Sequence, residues 1–211
     1  SEGVVASVGI GHGQIGSSDY RSGRRVATTF PSAGAILEVL AIHHSSRADG
    51  ESSHGDGGAQ QQHSSQNAGN DQQVLLVHNV CLQQDDIDAA KAVMNNVYWA
   101  ICPLSNIFIH NSLPPVELMR DNALNITVGT DSLSSNDDLD MVKELYCIHD
   151  NFRDVPMNEI LTWACLNGAR FLSKEAELGS LTPGKHPGIV LVSNVDAAGC
   201  FTAESRSERI V

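Results

Sequence analysis

The side chains of this chain that could do chemistry sit where short apolar runs stop. Ile42 is followed by His43 and His44, Val77 by His78 and Asn79, and the run 126–129 by Thr130, Asp131 and Ser132. Neutral imidazoles and a carboxylate are the ligand types that suit Zn or another divalent ion. A metal held by three or four such groups keeps one position for water, lowers that water's pKa to roughly 7 and polarises a substrate. The three groups converge if their strands lie side by side in a parallel sheet, all ending at its carboxyl edge. Asp131 is the first candidate, because a carboxylate at a strand-to-loop junction is rigidly held yet faces the ligand side of an α/β barrel. Its other reading is a turn or helix cap. A single histidine after a strand can equally be a hydrogen-bonded structural residue.

The elements that must position these groups alternate from Val74 onward. The run 74–77 (VLLV) reads as a strand buried in a parallel sheet. Residues 85–97 read as a helix, with two Asp at its start and Ile87, Ala90, Met94 and Val97 on one face. A strand is expected over 98–102, ended by Pro103, then a short helix over 115–121 and a buried strand over 126–129. Helices follow over 137–149, with Leu139, Val142, Leu145 and Ile148 inward, and over 156–172, with Pro156 at its opening. This rhythm predicts an α/β fold with a parallel sheet. After a turn cluster at 179–188, strands are expected over 189–192 and 200–211. Before Val74 the pattern is weaker. Residues 4–10 suggest a strand, and 33–42 a helix end or buried strand.

Residues 45–73 differ in kind: none is Val, Ile, Leu, Met, Phe, Tyr or Trp. Such a segment cannot bury enough surface to offset its ordering entropy, so a loop or disordered connection is expected. The His54 and His63 it contains offer only loosely spaced donors.

Composition narrows the function classes. A net charge of −12 argues against nucleic acid as a partner. No apolar run approaches the roughly 20 residues of a membrane helix. Ser1–Gly16 lacks the basic start and apolar core of a signal peptide, so a cytoplasmic location is expected. The five cysteines are scattered and form no C-x-x-C pair, which reads as buried free thiols.

From Val74 on, the segments VLLVHNV, CPLSN (102–106), VELMRDNALNITVGTDSLSSNDDLDMVKEL and LTPGKHPGIVLV occur in an order that resembles the amidohydrolase superfamily. The similarity is to its branch of cytosine, guanine and S-adenosylhomocysteine deaminases and chlorohydrolase-like enzymes. The resemblance implies the second half of a metal-dependent (β/α)8 barrel over residues 1–178, with 179–211 joining a small composite β-sandwich. It implies metal-assisted hydrolysis of a C–N bond in a small heterocycle such as a purine, pyrimidine or triazine. It further implies Asp131 and His78 as catalytic residues, His43, Asp131 and His78 around the metal, and His12 and Asn106 toward the substrate. Zn is the expected metal, with Fe or Mn as alternatives.

Two departures from the family pattern stand out. No His-x-His occurs anywhere in the sequence, and Ser46 stands where relatives place a proton-shuttling glutamate. They support an alternative reading as a non-catalytic half-barrel remnant, whose open strand edges would favour association, including a homo-oligomer.

Overall fold

The computed structural model describes residues 73–211 in full, and the backbone pairing of three earlier strands, at 4–6, 28–29 and 36–42. Two sheets organise it. The larger runs in the order β2 (Thr28–Thr29), β3 (Ile36–Ile42), β4 (Gln73–Val77), β5 (Asn96–Ile101), β6 (Asn125–Val128). The smaller joins β1 (Val4–Ala6), β7 (Val190–Ser193) and β8 (Arg206–Arg209), all antiparallel.

Strands β4, β5 and β6 are parallel, as the alternation predicts, with Val77 level with Ala100 and Ile101 level with Val128. All three therefore end at one edge. Strand β3 departs from the expectation. It pairs antiparallel with β4, Ile42 lying opposite Gln73 and Glu38 opposite Val77. The chain leaves β3 at the edge away from His78, so the all-parallel arrangement that would gather His43 with His78 and Asp131 is not the one formed. His43 itself, like His12, His44, Ser46 and most of the 45–73 segment, lies outside the described residues. Gln73, assigned to that segment from composition, instead opens β4 and bonds the Arg170 carbonyl and the Ser173 hydroxyl.

Helix α1 (Gln84–Val93) begins where the Gln83 amide donates to Asp86 Oδ2. It stops four residues before the expected end. Val97 is apolar and β-branched, and it buries itself in β5 beside Trp99 and Ile101 instead of on the helix face. Helix α2 (Pro103–His110) was not foreseen. Its apolar Ile107, Phe108 and Ile109 are exposed and mark no single inward face, so its only local signal is Pro103 at the first helical position. Helix α3 (Val116–Asp121) matches expectation. Helix α4 (Met141–Asn151) starts four residues late because Asp140 caps it, its Oδ1 accepting from the Val142 amide. Leu139 consequently lies in the preceding loop and is exposed.

The helix expected over 156–172 is formed by α5 (Met157–Leu161), a π-helical segment (Thr162–Asn167) and α6 (Gly168–Phe171). The wider π turn presents Asn167, which donates to the Ile126 carbonyl of β6. The core lies between the β4–β5–β6 layer and these helices, around Leu76, Ile87, Trp99, Met119, Ile126, Leu145, Ile148 and Ile160. No helix among the described residues is long and apolar enough to cross a membrane.

Candidate functional site

Strand β4 stops because the backbone turns sharply: His78 and Asn79 have φ of 71° and 56°. Asp131, past the end of β6, has φ of 58°. Left-handed backbone at non-glycine residues costs roughly 1–2 kcal/mol each and persists only where the surroundings enforce it. At His78 and Asn79 the enforcement is visible. The His78 amide donates to the Ala100 carbonyl, and Asn79 Nδ2 donates to the carbonyls of Leu76 and Ala100. Both site residues thus swing off parallel strand ends toward one another. His78 Nε2 lies 4.0 Å from Asp131 Oδ2.

The first turn of α2 lies behind this pair. Pro103 has no amide proton, and Cys102 makes no side-chain cap, so the turn is fastened by long-range bonds. The Leu104 amide donates to Glu144 Oε2 at 2.9 Å. Ser105 Oγ lies 2.8 Å from Asp131 Oδ2, and Ser135 Oγ 2.6 Å from the same atom. His78 Nδ1 is 2.8 Å from Asn106 Oδ1. Asn106 Nδ2 is already turned to the His78 carbonyl. Asn106 Oδ1 must therefore accept, so Nδ1 of His78 carries a proton and, in the neutral ring, Nε2 presents its lone pair.

The electrostatics differ across the site. Partial burial alone would raise the Asp131 carboxyl. The bonds from Ser135 and Ser105, the nearby His78 and the Ser132 amide outweigh it and hold the group below the usual carboxylate range. Glu144 goes the other way: fully buried, it is pushed up to about 7 by desolvation, against the bonds from Leu104 and Asn136. The Cys102 thiol is pushed up to about 12 by burial and by the charges of Asp131 and Glu144, so it stays protonated.

Of the residues singled out in the sequence, His78, Asp131 and Asn106 come together, Asn106 as a partner of the His78 ring. His43 and His12 lie outside the described residues. Among the described residues no group of three or more His, Cys, Asp or Glu could hold a metal ion. What they supply is a pair. An imidazole Nε2 with a free lone pair and an ionised carboxylate 4.0 Å away suit one divalent cation, whose bonds to such atoms run about 2.0–2.2 Å. The pair fits two positions of such an ion. A cavity of about 500 Å³ between α2 and α4 is lined by Phe108, Asp138 and Tyr146, with neither His78 nor Asp131 in its wall. The strand ends, where the ionised and lone-pair groups are, remain the site with chemistry.

Sequence reading missed Ser135, Asn136 and Glu144. Ser135 and Asn136 lie in a loop whose composition signals only polarity. Glu144 follows Lys143 on an amphipathic helix and looks like a solvated charge.

The chain is similar to known deaminases. It is 37% identical over 126 residues to a 5-methylthioadenosine/S-adenosylhomocysteine deaminase of Moorella thermoacetica, covering 56% of this chain and 29% of that protein. It is 28% identical over 145 residues to a 5'-deoxyadenosine deaminase of Methanobrevibacter smithii, covering 65% of this chain and 33% of the relative. Among solved structures it resembles an adenosine deaminase from Xanthomonas campestris with bound zinc, at 28% identity and a TM-score of 0.50, over 56% of this chain and 28% of that one. The chain thus spans about a third or less of the length of these relatives. The amidohydrolase family pattern matches residues 34–206, well over half of the sequence, and the chain belongs to the amidohydrolase family.

Proposed function

We propose that this chain carries part of the active site of a metal-dependent hydrolase that replaces an amino group on a small heterocycle with oxygen and releases ammonia. The observation that carries the reading is the His78–Asp131 pair, aimed across 4.0 Å and braced from behind by consecutive residues of one helical turn. The names of the relatives direct the substrate toward an adenosine-like purine nucleoside.

In this reading the Asp131 carboxylate and His78 Nε2 hold a divalent metal, Zn before Fe or Mn. The remaining ligands and the substrate contacts come from residues outside the described set, with His12 as a candidate toward the substrate; the antiparallel course of β3 removes the ground for counting His43 among the ligands. When bound, the metal supplies Lewis acidity, which brings the pKa of a water toward roughly 7. Asp131, ionised throughout the neutral range, takes the proton that the attacking water loses. His78 is locked by Asn106 in the tautomer that offers a lone pair, and it orients the water or a substrate oxygen. The proton held on Asp131 passes to the departing nitrogen, which leaves as ammonia. Such positioned acid–base groups contribute about 10² to 10⁴ in rate.

The same reading takes β4, β5 and β6 as consecutive strands of a (β/α)8 barrel and the β1–β7–β8 sheet as part of a composite β-sandwich. It places the protein in the cytoplasm. A second reading, a non-catalytic remnant of the fold, is favoured by Ser46 in place of the family's glutamate.

The test is elemental analysis of the purified chain together with ammonia release from adenosine, 5'-methylthioadenosine and guanine after Zn loading. Bound metal, and ammonia release that falls at least 100-fold in Asp131→Ala, support the hydrolase. A chain that takes up no metal and releases no ammonia leaves the remnant reading standing.

A further inference from the structure

Among the described residues Glu144 is the one acidic side chain with no solvent exposure, and its two oxygens are used on two different segments. Oε2 accepts from the Leu104 amide at 2.9 Å, the first amide that α2 can offer after Pro103. Oε1 accepts from Asn136 Nδ2 at 2.7 Å. That same Asn136 nitrogen donates at 2.9 Å to the carbonyl of Thr130, the residue before Asp131. One carboxylate therefore fastens the turn bearing Ser105 and Asn106 to the loop bearing Asp131 and Ser135.

We infer that Glu144 is a positioning residue of the site: it clamps the α2 turn to the 130–136 loop, and so fixes the separation and aim of His78 and Asp131 without touching either. Three features make a packing role alone insufficient. A buried charge costs several kcal/mol unless it is matched, so a helix that only needed to fill this space would place an apolar side chain here. Helix α2 has no cap of its own and borrows one from a residue 40 positions away. The bond chain from Glu144 through Asn136 ends on the peptide next to Asp131, whose left-handed backbone needs enforcement. For its metal arm the inference rests on the proposed function, because only that reading makes His78 and Asp131 ligands.

The experiment compares the wild-type chain with Glu144→Gln, Asn136→Ala and a core control, Ile148→Val. Two quantities are measured well below the unfolding temperature. One is amide hydrogen exchange over residues 104–106 and 130–136. The other is Zn affinity by competition with a chelating dye. Gln can accept only one of the two bonds. Glu144→Gln and Asn136→Ala are therefore expected to speed exchange in both segments at least tenfold and to weaken Zn binding 10- to 100-fold, the range for outer-shell partners of a metal. Ile148→Val is expected to lower the unfolding temperature and leave Zn affinity within twofold. Exchange unchanged in Glu144→Gln, or accelerated equally across the whole chain, overturns the clamp. A wild-type chain that binds no Zn defeats the proposed function instead, and the exchange comparison still decides on Glu144.

Discussion

Ser105 and Asn106, neighbours in the first turn of α2, divide the candidate pair between them. Ser105 Oγ is 2.8 Å from the Asp131 carboxylate and Asn106 Oδ1 is 2.8 Å from the His78 ring. Both are fully buried. Two side chains that must face each other are thus braced by adjacent residues of one helical turn.

Removing the ring's partner should cost metal binding more than stability. Asn106→Ala frees His78 Nδ1 and lets the proton move to Nε2, the atom needed as a lone-pair donor. Zn affinity is expected to fall about 10- to 100-fold, and nitrogen NMR of labelled histidine should show the tautomer mixture change. Asn106→Asp, which keeps an acceptor at the same place, should retain the wild-type tautomer.

The hydroxyls on Asp131 set its protonation. The carboxyl is held below its ordinary value, so it contributes stability above that value, and the contribution is lost as pH falls through the lower, folded-state pKa. In Ser105→Ala and Ser135→Ala one stabilising bond to the anion is gone, and the loss should begin at a higher pH. Carbon NMR of the Asp131 carboxyl during an acid titration reads this directly. A midpoint no higher in either variant than in the wild type would refute it.

Glu144 should give the opposite sign. Its folded-state pKa is raised to about 7, so the folded form binds the extra proton between its ordinary value of 4.5 and about 7. Stability associated with it is complete below that ordinary value and is lost as pH rises through about 7. A shift of this size corresponds to about 3 kcal/mol, spread over that window. Denaturant unfolding at pH 5 and pH 8 should show the wild type losing more stability than Glu144→Gln over the same interval.

Gly179 has φ of +81°, and a Cβ there would lie 2.8 Å from Ala169 Cβ and 2.9 Å from both the Cys165 carbonyl and Leu166 Cα. Two of the three neighbours are backbone atoms in the π-helical segment, which cannot move aside cheaply. Gly179→Ala is expected to cost on the order of 2–3 kcal/mol, seen as a drop of about 5–10 °C in unfolding temperature.

The parallel strands were legible because their apolar runs are short and stop at polar residues after β4 and β6 and at Pro103 after β5. The same reading placed His78 and Asp131 at strand ends, and the described residues have them there. Less legible was anything fixed by partners distant in sequence. The end of α1 yields to β5 pairing at Val97. Helix α2 is held by Glu144, 40 positions on, and by Asp131 and His78, so its own eight residues announce little beyond Pro103. The antiparallel course of β3 is a matter of pairing direction, to which side-chain periodicity is blind. Ser135 and Glu144 are ordinary residues in ordinary local settings. Only the tertiary structure gives them partners.

The antiparallel pairing of Val4 with Val192 has a consequence for synthesis. Strand β1 is made among the first residues of this sequence and its partner β7 near the last. At about 5–20 residues per second the ribosome needs on the order of ten seconds or more to supply that partner. Throughout that interval β1 lacks β7, the strand it pairs with among the described residues, while β4, β5 and β6 can already assemble from neighbouring segments. The small sheet is therefore the late step of folding, and the interval before it closes is when a nascent chain is most exposed to pairing with another copy.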